Sequence, residues 1–136
     1  MIIKLANAEH IEYSKLISKL IDESAKIRGT GIARRSPMYI KEKILSGNSV
    51  IALDKNNFAG FCYIEAWEHG KYVAHSGLIV SPKYRNMGIG KKIKKKVLEL
   101  SLKKYPKSKI FGITTGMPVM KINYELGYRP AHFNEL

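Results

Sequence analysis

The reading turns on Val80-Ser81-Pro82-Lys83-Tyr84-Arg85-Asn86-Met87-Gly88-Ile89-Gly90-Lys91. A strand-like apolar stretch ends at Val80, Ser81-Pro82 breaks it, and two glycines introduce a segment of helical periodicity. N–H groups in a helix's first turn lack intrahelical acceptors and sit at the positive end of the helix dipole, so they form an anion site. Glycine lets a phosphate approach main chain that a Cβ would shield, and Arg85 and Lys91 add positive charge. Two familiar phosphate loops are excluded. A dinucleotide fingerprint needs glycine at 93, where the chain has Ile93; a Walker A loop needs glycine at 85 and Ser or Thr at 92, where it has Arg85 and Lys92. The plainer alternative is a glycine turn with no ligand. The V-x-P strand end and the long basic helix favour a pyrophosphate site.

Downstream, a helix is expected from about Ile89 to Tyr105, with apolar positions Ile89, Ile93, Val97 and Leu100. A strand over Lys109 to Thr114, a short helix over Pro118 to Leu126 ended by Gly127, and a strand over Tyr128 to Phe133 follow. Upstream, Ile2 to Leu5 reads as a strand, and Asn7 caps a helix with apolar positions Ile11, Leu16, Leu20 and Ile27. Arg28 to Arg35 is a loop, Ser36-Pro37 starts a second helix and Gly47 stops it. Ser49 to Leu53, Phe58 to Trp67 and Tyr72 to Val80 are strands joined by turns at Asp54 to Asn57 and at His69-Gly70. The order β-α-α-β-β-β-α-β-α-β predicts an α+β domain, α/β in looser usage: a mixed, mostly antiparallel sheet flanked by helices.

At 136 residues the chain is long enough for one core, and we expect a single domain over residues 1–136. No apolar run is long enough to cross a bilayer, and the first ten residues lack a secretory pattern. Cys62 is alone, so neither a disulfide nor a Cys-rich zinc site is expected; no His/Asp/Glu set has metal-ligand spacing. The expected location is the cytoplasm. With 24 Lys and Arg against 11 Asp and Glu, the formal charge is +13, which calls for an anionic partner: nucleic acid, an acidic surface or a polyphosphate.

Val80-x-Pro82-x-Tyr84-Arg85-x-x-Gly88-Ile89-Gly90 resembles the acetyl-CoA signature (R/Q)-x-x-G-x-(G/A) of the GNAT superfamily of acyl-CoA N-acyltransferases. The resemblance runs from the first strand to Gly127. It implies the GNAT fold, acetyl-CoA as co-substrate, and a CoA pyrophosphate held by the amides of Arg85, Asn86, Met87, Gly88, Ile89, Gly90 and Lys91. It also implies that the strand end Leu78, Ile79 and Val80 pairs through its main chain with pantetheine. Lys91 and Lys92 are placed to meet CoA phosphates. Arg28-Gly29-Thr30-Gly31-Ile32-Ala33-Arg34-Arg35, His75-Ser76-Gly77-Leu78-Ile79-Val80 and Phe111-Gly112-Ile113-Thr114-Thr115 are similar to a bacterial N-acetylglutamate-synthase-like subgroup.

The chain departs from the family's pattern at two catalytic positions. The tyrosine that assists the departing thiolate lies four residues before the glycine ending the last helix. Here that position is Asn123, with Tyr124 turned about 100° away. Asn123 can donate a hydrogen bond to sulfur or pantetheine but supplies no proton at neutral pH. The usual general-base glutamate falls at Ala74. His75 beside it belongs to the opposite face of a regular strand, and Glu65 on the preceding strand is the other candidate. The missing glutamate favours an α-amine, with a reference pKa near ~8, over a lysine amine near ~10.4.

Lys94, Lys95 and Lys96 read as a solvated face. Trp67, Tyr63 and Phe61 alternate on a strand and read as core, Cys62 as a small apolar residue on the other face, and His69 as a turn residue. Arg28, Arg34 and Arg35 border the acceptor pocket in the family's architecture, and an arginine fork binds a carboxylate bidentately. The function so implied is transfer of acetyl from acetyl-CoA to a primary amine, foremost a small, glutamate-like amino acid, in a ternary complex. A backbone N–H near Val80 would hold the oxyanion, and the thiolate would leave toward Asn123. An acyl-CoA sensor, a protein N-acetyltransferase and, less favoured, a nucleic-acid-binding domain are the alternatives; no membrane partner is expected, and an exposed sheet edge makes a homodimer plausible.

Overall fold

A computed structural model describes residues 1–28, 35–112 and 126. Five strands, β1 (Ile2–Leu5), β2 (Ser49–Asp54), β3 (Asn57–Trp67), β4 (Tyr72–Val80) and β5 (Lys109–Gly112), form one sheet in the order β1-β2-β3-β4-β5. The first four pair antiparallel, and β5 joins β4 parallel after the crossover helix α3 (Ile89–Lys104). Helices α1 (Ser14–Arg28) and α2 (Pro37–Leu45) cover one face through Ile17, Ile21, Ile40 and Ile44. Helix α3 covers the other through the expected Ile89, Ile93, Val97 and Leu100. This is the mixed, mostly antiparallel sheet with flanking helices that the sequence predicts. The helix expected over Pro118 to Leu126 (Leu126 aside, a half-buried turn residue), the strand over Tyr128 to Phe133, the end of the strand beyond Gly112, and residues 29–34 of the loop lie outside the described residues.

Local signals explain most boundaries. Ser36 Oγ accepts the Tyr39 N–H at 3.1 Å and Pro37 occupies the first turn, so α2 starts where the sequence indicates. The first helix differs. Asn7 caps a 3-10 turn, Ala8–Tyr13, in a reciprocal arrangement: its Oδ1 accepts the Glu9 N–H at 2.9 Å, and His10 Nδ1 accepts the Asn7 N–H at 3.0 Å. The buried face that follows is Ser14, Ile17, Ser18 and Ile21, while Ile11 and Leu16 are exposed. Ser14 and Ser18 can be buried because their hydroxyls donate to the carbonyls of Ile11 and Arg35. A count of apolar residues overlooks such satisfied serines.

Two further expectations are corrected. Lys94 is not on a solvated face: it is 2% exposed, flanking the α3 stripe with buried Ser101 seven residues on. Trp67 is not core, at 45% exposure, because the end of β3 runs past the helices that cover Phe61 and Tyr63. Gly60 brings α3 close to the sheet, where a Cβ would press into the Ile93 side chain and the Ile79 carbonyl.

The feature that shapes the site is a bulge in β4. Phe61 pairs with Ile79 but Tyr63 pairs with Ser76, so two steps on β3 span three on β4. Gly77 takes φ +65° there, and a Cβ on it would overlap the Tyr63 ring. Side-chain alternation inverts across the bulge: His75 is on the α3 side and Ser76 on the α2 side, yet Leu78 and Val80 pack toward α3 and Ile79 toward α1 and α2.

Candidate active site

The turn after β4 is built from the core outward. The Ser81 N–H donates to the Ala59 carbonyl at 2.8 Å, and Pro82–Tyr84 form a 3-10 turn. Tyr84 is buried against the α3 cluster and its hydroxyl donates to Asp54 Oδ2 at 3.0 Å; burial raises its pKa, with the Asp54 bond and charge adding to the shift. Arg85 stays in the turn: its N–H reaches the Pro82 carbonyl at 3.4 Å and its Nε the Val80 carbonyl at 3.2 Å. Asn86 and Gly88 then adopt left-handed φ values of +64° and +75° around exposed Met87. The Lys92 N–H reaches back to the Gly88 carbonyl at 3.3 Å, so the N–H groups of Ile89, Gly90 and Lys91 belong to the first turn. A Cβ on Gly88 would meet no atom within 4 Å. First-turn N–H groups with Lys91 and Lys92 beside them are the chemistry that takes a diphosphate.

This turn continues a strand edge. Among the described residues β5 pairs with β4 from Tyr72 to His75. From Ser76 to Val80, past the last of those pairs among the described residues, β4 is bonded to β3 on its other side. Among the described residues, Leu78, Ile79 and Val80 thus lie along an edge that leads from the bulge to the turn before α3.

On the α2 side of the bulge the structure brings together Arg35, Tyr39, Lys43, Tyr63, Glu65 and Ser76. Arg35 Nε donates to the Tyr63 hydroxyl at 2.6 Å and Nη2 to Ser76 Oγ at 3.1 Å. Lys43 Nζ lies 3.0 Å from Glu65 Oε1 and donates to the Ile64 carbonyl at 3.0 Å. It also stands 5.6 and 5.5 Å from the Tyr39 and Tyr63 ring centroids. Burial pushes the Glu65 carboxyl up, with the Arg35 charge opposing, and burial pushes the Lys43 ammonium down. Glu65 is the register partner of Ala74, so the two share a face of the sheet.

His75 is not brought to this group. It is 2% exposed on the α3 face, with Nε2 2.7 Å from Ser101 Oγ. The Ser101 hydroxyl donates to the Val97 carbonyl at 3.0 Å, so Oγ accepts from His75 and the ring proton is assigned to Nε2. Burial, then the nearby Lys94 charge, pushes the imidazole down to about 3. Cys62 is buried in the same layer, its thiol pushed up to about 11 by burial, and its Sγ donates to the Ser76 carbonyl at 3.3 Å. Asn123 and Arg34, with the Arg28 side chain, lie outside the described residues. Sequence reasoning missed Lys43, Tyr39 and Ser76. The glycine inside a strand at Ser76-Gly77 was the one available signal for the bulge.

The model of the Acetyltransferase (GNAT) family matches residues 19–117. No curated protein matches the sequence. Among solved structures, Rv2747 from Mycobacterium tuberculosis, in complex with CoA, superposes with a TM-score of 0.76 at 13% identity, covering 97% of this chain and 74% of that one. N-acetylglutamate synthase from Neisseria gonorrhoeae, complexed with coenzyme A and N-acetyl-glutamate, gives 0.77 at 21% identity; 99% of this chain spans 30% of that one. A GNAT-family acetyltransferase from Staphylococcus aureus Mu50 gives 0.77 at 20% identity, covering 99% and 88%. These likenesses lie in the fold.

Proposed function

The chain belongs to the acetyltransferase (GNAT) family, acyl-CoA-dependent N-acetyltransferases with acetyl-CoA as co-substrate, and from that premise we propose that it acetylates the α-amine of a small, glutamate-like amino acid. Bound acetyl-CoA supplies an acetyl group activated as a thioester. The amides of Asn86 to Lys91 bind its diphosphate, with Lys91 and Lys92 screening the charge. The edge of Leu78, Ile79 and Val80 holds the pantetheine arm as an added strand would be held. Glu65 accepts the proton of the incoming ammonium; its raised pKa brings a carboxylate closer to that task. Arg35 reads the amino acid's carboxylate, joined by Arg28 and Arg34, and Asn123 donates a hydrogen bond to the cofactor's sulfur.

The observation that carries this reading is the placement of Glu65 and Arg35 on one face, against the bulge at Gly77 and opposite Ala74. Support for the acceptor comes from the synthase structure, which holds N-acetyl-glutamate on the same fold. The deciding experiment follows release of CoA thiol across a panel of amino acids, polyamines and lysine peptides. We expect turnover with acidic amino acids, and Arg35→Gln should raise their KM at least tenfold without changing CoA affinity. Turnover confined to lysine peptides, or CoA binding with no turnover at all, would overturn it.

A further inference from the structure

We propose that Lys43 is a positioning residue that holds Glu65 in place and favours its carboxylate form through their ion pair; this rests on the reading of Glu65 as the proton acceptor. Lys43 is anchored independently of Glu65. Its Nζ donates to the Ile64 carbonyl at 3.0 Å and stands over the Tyr39 and Tyr63 rings, so the ammonium is fixed before the carboxylate meets it. Its side chain is only 13% exposed and that of Glu65 28%, which limits solvent screening of their 3.0 Å contact. The contact engages Oε1; a carboxylate has further lone pairs for a substrate proton.

The charges around Glu65 come from separate elements. Lys43 projects from α2, and Arg35 precedes that helix. β4 offers only Ala74 opposite. Around Lys43, Glu42 raises its pKa, and Lys104, at the end of α3, lowers it. Lys104 bonds the Ser46 and Gly47 carbonyls at 3.5 and 3.4 Å, beyond the end of α2. Burial and the Arg35 charge act on this carboxylate in opposite senses, and the 3.0 Å contact with Lys43 sets a second cation against it. Loss of Lys43 leaves burial opposed by Arg35 alone, so the carboxyl becomes harder to ionise.

The test is the pH profile of kcat/KM for the full chain with acetyl-CoA and its best amine. In Lys43→Met, which keeps a chain over the two rings, the acid limb should move upward by on the order of one unit, and Lys43→Arg should restore it. Lys43→Gln serves if the methionine variant does not fold, and thermal unfolding with CoA affinity monitors integrity. Glu65→Gln separates the two claims. A limb abolished by Glu65→Gln but unmoved by Lys43→Met or Lys43→Gln would sink the role of Lys43 and leave Glu65 as the base. A limb that survives in Glu65→Gln would sink both.

Discussion

Glu65 on β3 stands directly opposite Ala74 on β4, so the carboxylate lies one strand away from the position where the family's pattern carries it, on the same face of the sheet. Cβ atoms of such partners are about 5 Å apart, within reach of a carboxylate side chain. Glu65→Ala should lower kcat/KM by about 10²–10⁴. The double variant Glu65→Ala/Ala74→Glu should recover at least tenfold of that loss in steady-state assays. Failure to recover in a folded, CoA-binding double variant would remove Glu65 from the proton path.

Gly88→Glu sets a negative side chain in open space at the mouth of α3, from a residue with φ +75°. CoA affinity measured by calorimetry should fall at least tenfold. The fold should persist, at a strain cost of about 1 kcal/mol. Unchanged affinity would show that phosphates bind elsewhere.

Gly77→Ala attacks the bulge. The residue has φ +65° and its new methyl would overlap the Tyr63 ring. We expect a loss of roughly 1–3 kcal/mol or more in urea unfolding. Turnover should drop further than Gly88→Ala lowers it, because the shift displaces Ser76 and Arg35 along with the strand edge.

His75 makes stability depend on pH. Its folded pKa of about 3 lies below the ordinary imidazole value of 6.5, so the unfolded chain binds the extra proton between these limits. Its contribution is complete above pH 6.5 and is lost as the pH falls toward 3. From pH 7 to pH 5 the chain should lose about 2 kcal/mol through this group. His75→Gln should flatten that part of the curve in urea titrations, and an equal loss in both proteins would refute the assignment.

Element boundaries were legible wherever a residue acts on its own backbone: Pro37 and Ser36 at the start of α2, and the turn at His69-Gly70, where Glu68, His69 and Gly70 are all left-handed. The α3 stripe was legible because four apolar residues repeat at helical spacing. What pairing and packing decide was not. Lys94 reads as one more solvated lysine until the fold buries it near Cys62 of β3 and His75 of β4. Ser14 and Ser18 read as polar until carbonyls satisfy them. The partnership of Glu65 with Ala74, and of Lys43 with Glu65, depends on a register and a helix position that no local pattern encodes.

The close seat of α3 at Gly60 ties the first turn of that helix to the sheet beside Ile79. A single methyl there would act as a lever, tilting the helix about its contact with Ile93 and swinging its first turn out of alignment. Alignment of that turn therefore depends on a residue inside the sheet, with every residue of the turn itself unchanged.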